Sequence, residues 1–168
     1  METIGQAGPL LEGRFEGRAD FIQLVRDALG VAAQAGWREL ILSDASFYDW
    51  PLGERAVIDS LNAWARSGRQ LTLLAKNYDE VVRRHPRFVA WRTTWGHIIQ
   101  CRACPDADAL DVPSMIWSPD WVMQRLDTVR SVGIAGAEAG RRVATRELLR
   151  EWIENKSAPG FASTTLGL

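Results

Sequence analysis

A short apolar run with polar residues at both ends, Arg38 to Asp44, is the clearest strand signal in the chain. It reads Arg-Glu-Leu-Ile-Leu-Ser-Asp, it follows a helical pattern that ends at Gly36, and it precedes a second helical pattern that begins near Pro51. An apolar run between two such patterns is typical of a buried central strand in an α/β sheet. The carboxyl end of this strand opens into a polar loop.

Helical spacing of apolar residues predicts one helix on each side of this strand. The first helix has Asp20 as its N-cap, and its apolar stripe consists of Phe21, Leu24, Val25, Ala28, Leu29 and Ala32. The second begins at Pro51, ends at Gly68 and carries Leu52, Val57, Leu61, Trp64 and Ala65. Residues 69–76 form a second apolar run. Two strands joined through one helix are expected to be parallel, with a right-handed crossover.

The remaining pattern predicts a mixed, largely parallel sheet with helices on both faces. The further elements are an edge strand at 14–18, a helix from Tyr78 that breaks at Pro86, a strand at 97–102, a hairpin of 114–117 and 121–124, and a helix at 141–156. The Gly/Ala-rich segment 132–140 is expected to be a mobile loop or a slack helix start. Residues 1–13 read as a loose N-terminal arm and residues 157–168 as a tail. Residues 1–168 are therefore predicted to form a single α/β domain.

Composition narrows the class of protein. The chain has 168 residues, of which 46% are hydrophobic, so a folded globular protein is expected. With 20 basic and 21 acidic residues the net charge is −1, which gives no overall attraction to nucleic acid or to an anionic membrane. No apolar run approaches the roughly 20 residues that span a bilayer, and the N-terminus lacks a signal-peptide pattern. Two cysteines fit a reducing compartment, so a cytoplasmic protein without membrane insertion is expected.

Polar residues follow the predicted parallel strands where an open α/β sheet binds its ligands. The candidate ligand-binding residues are Ser43, Asp44, Asp49, Lys76 and Asn77, with Arg83 and Arg87 nearby. Asp44 facing Lys76 would make an acid/base pair or orient a phosphate, so a phosphate-containing ligand is one expectation. The alternative interpretation, which the capping preferences of these residue types favour, is that they shape turns and cap helices.

Cys101 and Cys104 have the spacing of a metal or redox site, with His85 and His97 upstream. If residues 97–102 are extended, His97 and Cys101 lie about 13 Å apart at roughly 3.3 Å per residue, which is too far for one metal ion. A redox pair usually opens a helix, whereas Pro105 follows here. We therefore predict a core Cys101, a loop Cys104, no metal and no cofactor.

Arginines and aromatic residues alternate between Arg83 and Trp95, as in proteins that bind single-stranded nucleic acid. The competing interpretation, which the net charge favours, is an amphipathic helix with core tryptophans and with arginines that are solvated or paired with Asp79 and Glu80. Some tryptophans fall on predicted apolar faces, and others lie at loops or the hairpin, where they could line a pocket or a dimer contact. The first group is Trp64, Trp91 and Trp152; the second is Trp50, Trp117 and Trp121.

The order of elements resembles a small group of uncharacterised bacterial proteins whose fold is similar to one half of the phospholipase D superfamily. The residues that carry the likeness are Leu40 to Asp44, Tyr48-Asp49 and Leu71 to Leu74. The resemblance implies α/β/α layering and a tendency to form homodimers. That superfamily's reactive motif is His-x-Lys followed by Asp. Here His85 is followed by Arg87 and Arg92, and His97 by Ile99, so no catalytic residue carries over.

The sequence contains no nucleophile elbow, dinucleotide-binding turn or Walker loop. A non-catalytic binding or interaction module is therefore the preferred interpretation. The alternatives are a hydrolase or phosphodiesterase that uses Asp44, His85 and Lys76, and a nucleic-acid binder that works through residues 83–95.

Overall fold

The computed structural model describes residues 9–161. Its strands are β1 (Gly13–Glu16), β2 (Glu39–Ser43), β3 (Gln70–Ala75), β4 (Ile99–Ala103), β5 (Ser114–Trp117), β6 (Val122–Asp127), β7 (Val132–Gly136) and β8 (Ala158–Pro159). Its helices are α1 (Arg18–Ala35), α2 (Arg55–Ala65), α3 (Asp79–Arg84), α4 (Pro86–Thr94) and α5 (Ala139–Asn155), with a 3-10 turn at Gly96–Ile98. The eight strands form one sheet in the order β1-β7-β6-β5-β2-β3-β4-β8.

The predicted strand β2 lies inside the sheet and pairs in parallel with β3, as expected for a βαβ unit. β3 pairs in parallel with β4. The other five of the seven strand pairings are antiparallel, so the expectation of a largely parallel sheet is wrong. The physical reason is that β5, β6 and β7 follow one another through short turns, and a short turn can join only antiparallel neighbours.

Alternation along β2 separates two apolar layers. Leu40 and Leu42 belong to a large core that includes buried residues of α1, α2 and α4. Ile41 points to the other face, where it packs with Trp117 and with Leu149 of α5. The sheet therefore has helices on both faces, which agrees with the predicted layering. That residues 1–168 form a single domain stays a prediction.

Several predicted boundaries shift by a few residues. α1 begins at Arg18 after Gly17, whose φ of 100° favours glycine, so Asp20 is not its N-cap; the helix ends at the left-handed Gly36 as predicted. α2 begins at Arg55, because residues 51–54 form a turn. The break before Pro86 is confirmed: α3 ends at Arg84 and α4 begins at the proline.

The Gly/Ala-rich segment 132–140 was expected to be a mobile loop or a slack helix start, and for most of its length it is neither; only residues 139 and 140 begin α5. Residues 132–136 form β7, which pairs with β6 on one side and with β1 on the other. A Cβ at Gly133 would lie 2.2 Å from the Gln124 carbonyl oxygen and 2.5 Å from Cζ of Phe15. The glycine composition therefore reflects close approach of neighbouring groups within a sheet.

The edges of the sheet are short strands from the two ends of the described chain. β1 forms one edge, as predicted, and β8 pairs with β4 at the other. Phe161 stacks on Tyr78 with ring centroids 4.7 Å apart. The rest of the predicted arm and tail, residues 1–8 and 162–168, lies outside the described residues. Within 9–161 no helix is long and apolar enough to cross a bilayer.

The packing at Gly133 predicts a large effect of one methyl group. Gly133→Ala should lower the free energy of unfolding by about 1–3 kcal/mol, because backbone atoms of β6 and the Phe15 ring must move. The matched control is Gly140→Ala in the first turn of α5, where an added Cβ meets nothing within 4 Å. The control should leave stability unchanged or raise it by up to about 1 kcal/mol. Urea denaturation measures both, and equal midpoints for the two variants would contradict this account of β7.

Candidate ligand-binding site

A buried arginine on β6 joins the two aspartates that follow β2. Arg125 Nη2 donates to Asp44 Oδ1 at 3.0 Å, and Nη1 donates to Asp49 Oδ2 at 2.7 Å. The side chain of Arg125 is 2% exposed, and those of Asp44 and Asp49 are 6% and 9% exposed. These three residues form a buried ion-pair cluster at the carboxyl end of β2.

Three further groups complete the surroundings of Arg125. Its Nε donates to Ser114 Oγ at 3.1 Å, and its Nη1 donates to Ser131 Oγ at 3.2 Å. Its Cζ lies 3.9 Å from the centre of the Phe21 ring on α1. Burial disfavours the charged form, but the hydrogen bond to Asp49 and the charges of Asp44 and Asp49 outweigh it and raise the pKa of Arg125 above its usual value. The guanidinium is therefore a permanently charged link between β6, α1 and the loop after β2.

Asp44 also shapes the loop that carries Asp49. Its Oδ2 accepts hydrogen bonds from the backbone N–H groups of Ser46 at 3.1 Å and Phe47 at 2.8 Å. Phe47 has a left-handed φ of 59°, which is unfavourable for a bulky residue, and its ring is fully buried. The buried carboxylate therefore holds the aromatic loop in a conformation that the isolated chain would avoid.

The predicted pairing of Asp44 with Lys76 is wrong, because both side chains have other partners. Asp44 binds Arg125, while Lys76 Nζ donates to the backbone carbonyls of Pro105 and Ala107. The buried guanidinium of Arg125 binds the Asp44 carboxylate, and the Lys76 ammonium binds carbonyls of another loop instead. The parallel strands do deliver these residues to the same edge of the sheet, but each residue there stabilises a different loop.

The other predicted ligand-binding residues also have structural partners. Ser43 Oγ donates to the Pro113 carbonyl at 2.7 Å, and Asn77 Oδ1 accepts from the N–H of Asp79 at 3.2 Å near the start of α3. Arg83 pairs with Glu80 at 2.7 Å, and Arg87 donates to the Gly53 carbonyl at 2.9 Å. The alternative interpretation, turn and cap residues, describes Ser43, Asp44 and Asn77 well.

A cavity of about 380 Å³ opens beside the aromatic loop, and Asp49 is the one predicted ligand-binding residue that lines it. Its other walls include Arg18, Tyr48, Trp50, Arg84 and His85. Trp50 was expected to line a pocket, and it does. We call this cavity the Tyr48 pocket.

Arginines flank the one exposed aromatic ring of this pocket. Tyr48 is 41% exposed. The Cζ atoms of Arg84 and Arg18 lie 4.3 Å and 5.7 Å from the centre of its ring. Arg84 also pairs with Glu80 at 3.0 Å, and Arg18 lies 3.8 Å from Asp49. Arg125 is shared between Asp44 and Asp49, but across the ion pairs connected to the pocket five arginine charges meet four carboxylate charges, which leaves a positive excess of one.

Two buried ring nitrogens belong to the walls of the Tyr48 pocket. The indole N–H of Trp50 is buried and has no hydrogen-bond acceptor in the part of the chain that the structure describes. His85 Nε2 lies 2.8 Å from the Phe47 carbonyl. Since a carbonyl oxygen can only accept, Nε2 carries the hydrogen and a neutral His85 offers Nδ1 as an acceptor. The pocket thus combines a donor without a partner, an acceptor nitrogen and two flanking cations.

Asp44, His85 and Lys76, the residues of the predicted hydrolase alternative, do not hydrogen-bond to one another. Asp44 contacts Arg125, His85 contacts Phe47 O, and Lys76 contacts the loop at residues 105–107. A general base needs to lie within hydrogen-bond reach of the group that it activates. No pair among these three residues has that geometry.

Cys101 and Cys104 were weighed with His85 and His97 as a metal site and rejected on geometry; within residues 9–161 no three potential metal ligands come together. Cys101 and Cys104 are free and buried. Cys101 belongs to the core, as predicted, while the loop residue Cys104 donates through Sγ to the Ala75 carbonyl at 3.3 Å. Burial raises the pKa of both thiols, which is opposite to the shift that a reactive cysteine requires.

The basic-aromatic stretch 83–95 does not form a stacking surface. Phe88 and Trp91 are buried in the core, and the guanidinium of Arg92 lies over the Phe161 ring and donates to its carbonyl. Trp117 and Trp121 are buried as well, with their indole N–H groups bonded to backbone carbonyls. The amphipathic-helix interpretation, with arginines paired to Glu80, fits these contacts.

Sequence reasoning missed Arg125, Arg18 and the side chain of Tyr48 as functional candidates, and it named Arg84 only as part of the basic-aromatic stretch 83–95. One signal for Arg125 was present: it lies two residues after Met123 on the strand, so a charged side chain falls on the buried face. The arginines around Tyr48 come from α1 and α3, which are far apart in the chain, so no local pattern shows that they lie around one ring.

Removing the buried cation should be far more costly than removing a surface one. Arg125→Met leaves two buried carboxylates without their partner and should lower the free energy of unfolding by about 3–5 kcal/mol. Arg83→Met, which removes an exposed pair with Glu80, should change it by less than about 1 kcal/mol. Chemical denaturation measures both values. Equal losses of unfolding free energy in the two variants would show that the Arg125 cluster is not the main electrostatic contribution to stability.

The buried thiols should react slowly with Ellman's reagent in the native protein and rapidly after unfolding in urea, because both burial and the raised pKa values suppress the thiolate. Ser67→Cys places a thiol at an exposed position and serves as the positive control. Rapid labelling of the folded protein without the Ser67→Cys change would mean that Cys101 or Cys104 is accessible.

No protein-family model and no curated protein matches the chain. Among solved structures the chain is similar to TrmBL2, described as an archaeal chromatin protein whose structure shows a novel mode of DNA binding. The TM-score is 0.65 at 13% sequence identity, and the match covers 95% of this chain and 57% of that one. At this identity the likeness concerns the fold, and the chain spans little more than half of the length of that protein.

Proposed function

We propose that the chain is a non-catalytic binding module whose Tyr48 pocket takes a phosphate-containing ligand with a planar ring, such as a nucleotide. The observation that carries the proposal is the exposed Tyr48 ring between the guanidinium groups of Arg18 and Arg84. Guanidinium groups bind phosphate through paired N–H donors, and a tyrosine ring offers a face for a planar group.

The charge balance of the pocket supports an anionic ligand. Asp49 is held by Arg125, and Glu54 is held by Arg26 through two hydrogen bonds of 2.7 Å. Arg18 and Arg84 are paired as well, with Asp49 and Glu80, but arginines outnumber carboxylates by five to four in the connected ion pairs, so a ligand phosphate would meet a positive excess at the mouth. A volume of about 380 Å³ falls within the usual range of small-molecule sites, which begins at roughly 300 Å³.

Hydrogen-bonding groups in the wall would add orientation. The Trp50 N–H has no acceptor among residues 9–161, and His85, whose Nε2 is bonded to the Phe47 carbonyl, lies in the wall of the same pocket. A buried donor without a partner costs free energy that a ligand acceptor would recover. The absence of a reactive set among Asp44, His85 and Lys76 supports binding without turnover.

We also propose that the chain is a relative of the phospholipase D superfamily without its chemistry. The positions of the histidines support the absence of that chemistry. His85 lies at the junction of α3 and α4, and His97 lies in a 3-10 turn, so neither histidine lies on a strand. The likeness in fold and the tendency to form homodimers stay predictions. Sedimentation velocity over a range of concentrations tests the latter.

Nucleic-acid binding is the second candidate, favoured by the DNA-binding neighbour named above. In that case the exposed arginines around the Tyr48 pocket would contact successive phosphates. Arg83, whose side chain is 69% exposed and which lies outside the pocket, would then contribute as well.

Calorimetric titration with AMP, ADP, adenosine and inorganic phosphate tests the first candidate. Tyr48→Ala and Arg84→Gln should each weaken nucleotide binding by about tenfold or more, since a charge-assisted hydrogen bond contributes about 1.5–3 kcal/mol. Trp50→Phe, which removes the indole N–H, should weaken it less. Arg150→Gln, an exposed arginine on α5, is the control and should bind like the native chain. Nucleotide affinity that is indifferent to Tyr48 and Arg84 would contradict the proposal.

Two further assays separate the alternatives. Binding of a single-stranded oligonucleotide that weakens steeply with salt and is reduced by Arg83→Gln would favour the nucleic-acid candidate over a mononucleotide site. Turnover of bis(p-nitrophenyl) phosphate that disappears in Asp44→Asn and His85→Ala would establish an enzyme instead. Thermal unfolding of each variant controls for loss of fold.

A further inference from the structure

A second cavity, lined by residues of β5, β6 and α5, is surrounded by exposed apolar side chains. It has a volume of about 430 Å³ and lies between the loop at residues 108–113, the end of β6 and the face of α5. Four of its lining residues are large, apolar and exposed: Leu110 at 80%, Leu126 at 64%, Val129 at 82% and Leu148 at 40%. Exposed apolar residues that cluster around one cavity mark a binding surface, whereas scattered ones do not.

The two most exposed of these residues are held in place by their own loops. Asp108 Oδ1 accepts from the N–H of Leu110 at 2.9 Å. Asp127 Oδ1 accepts from the N–H groups of Val129 at 3.0 Å and Arg130 at 2.9 Å. Such side-chain-capped turns fix the backbone, so the apolar groups are presented outward and cannot collapse onto the protein.

The cavity continues along α5 as a groove. A neighbouring cavity of about 390 Å³ shares Met115, Gln124 and Leu148 with it and extends to Arg141 at the start of the helix. From Arg141 to Trp152 the helix runs for about 16 Å at 1.5 Å per residue. A groove of this length accommodates about three turns of a helix. We call the two joined cavities the α5 groove.

Unpaired acidic groups surround the apolar end of the groove. Asp108, Asp111 and Asp127 lie at or next to the cavity, and none of them forms an ion pair among the described residues. The groove therefore presents an apolar floor with an acidic rim.

We infer that the α5 groove docks a basic amphipathic segment of a partner protein, with apolar anchors on one face and Lys or Arg on the flanks. Apolar anchors would bury Leu110, Leu126, Val129 and Leu148, and flanking cations would meet the three free aspartates. A symmetric contact between two copies of this chain would bring the acidic rim against itself, which opposes a dimer through this face. An anionic lipid surface is disfavoured for the same reason.

The test uses the full chain and a synthetic helical peptide of Leu and Lys about 12 residues long, or roughly three turns. Calorimetry should show saturable binding at one site, and a counterpart with Glu in place of Lys should not bind. Leu126→Ser with Val129→Ser should weaken binding of the Lys peptide by about tenfold or more, because burial of these side chains is lost. Val82→Ser is the matched control: Val82 is exposed on α3, away from the groove.

The electrostatic part is tested separately. A triple variant removes the three charges through Asp108→Asn, Asp111→Asn and Asp127→Asn. It keeps the Oδ1 acceptors at positions 108 and 127 that hold the two turns. This variant should bind the Lys peptide at least about fivefold more weakly and should show a smaller dependence on salt. Nucleotide binding at the Tyr48 pocket should be unchanged in all groove variants, so failure here is distinguishable from failure of the proposed function.

Three outcomes would overturn the inference. The Lys and Glu peptides could bind equally, the Leu126/Val129 double variant could bind like the Val82 control, or neither peptide could bind at low salt. A fourth outcome, measured by sedimentation velocity, would also overturn it: a dimer that dissociates in the Leu126/Val129 double variant would assign the groove to a second copy of this chain. Thermal unfolding checks that each variant is folded.

Discussion

The charge of Arg125 is the constraint on which this end of the molecule depends. One guanidinium reaches both Asp44 and Asp49, two serine hydroxyls and the face of Phe21, so β5, β6, α1, the loop after β2 and the turn at Ser131 meet at a single buried group. Taking three charges out of water is costly, and the cluster is tolerated because its hydrogen bonds are made by charged and well-placed partners. Losing Arg125 would leave two uncompensated carboxylates in the core, whereas losing either aspartate would leave one matched ion pair.

This cluster also explains the character of the Tyr48 pocket. The carboxylate of Asp44 holds the backbone of Phe47 in a left-handed conformation, and Ser131, which accepts from Arg125, has a φ of 55°. Unfavourable backbone conformations of this kind persist only where surrounding contacts determine them. The pocket that the loop encloses has a positive excess, because the ion pairs connected to it, including those of Arg18 and Arg84, contain five arginines and four carboxylates.

Strand alternation places the two candidate binding surfaces on opposite faces of β6. Arg125 points towards the α1 layer and reaches Asp49 of the Tyr48 pocket, while its neighbour Leu126 points into the α5 groove. A single strand therefore contributes to both surfaces through adjacent residues. The face under α5 is covered by one helix, whereas α1, α2 and α4 cover the other, and this unequal coverage is what leaves a groove beside α5.

The sequence by itself determined the local elements: β2, β3, the hairpin of β5 and β6, the break at Pro86 and the helical faces, because periodicity and turn residues act over short distances. It located the loop after β2 and named Asp44 and Asp49, but it paired Asp44 with Lys76. Only the tertiary structure decided that Arg125, some 76 residues from Asp49, lies between the two aspartates, and that five of seven strand pairings are antiparallel. Which strands become neighbours, and which charges meet inside, depends on how all layers pack together, and no local pattern encodes that choice.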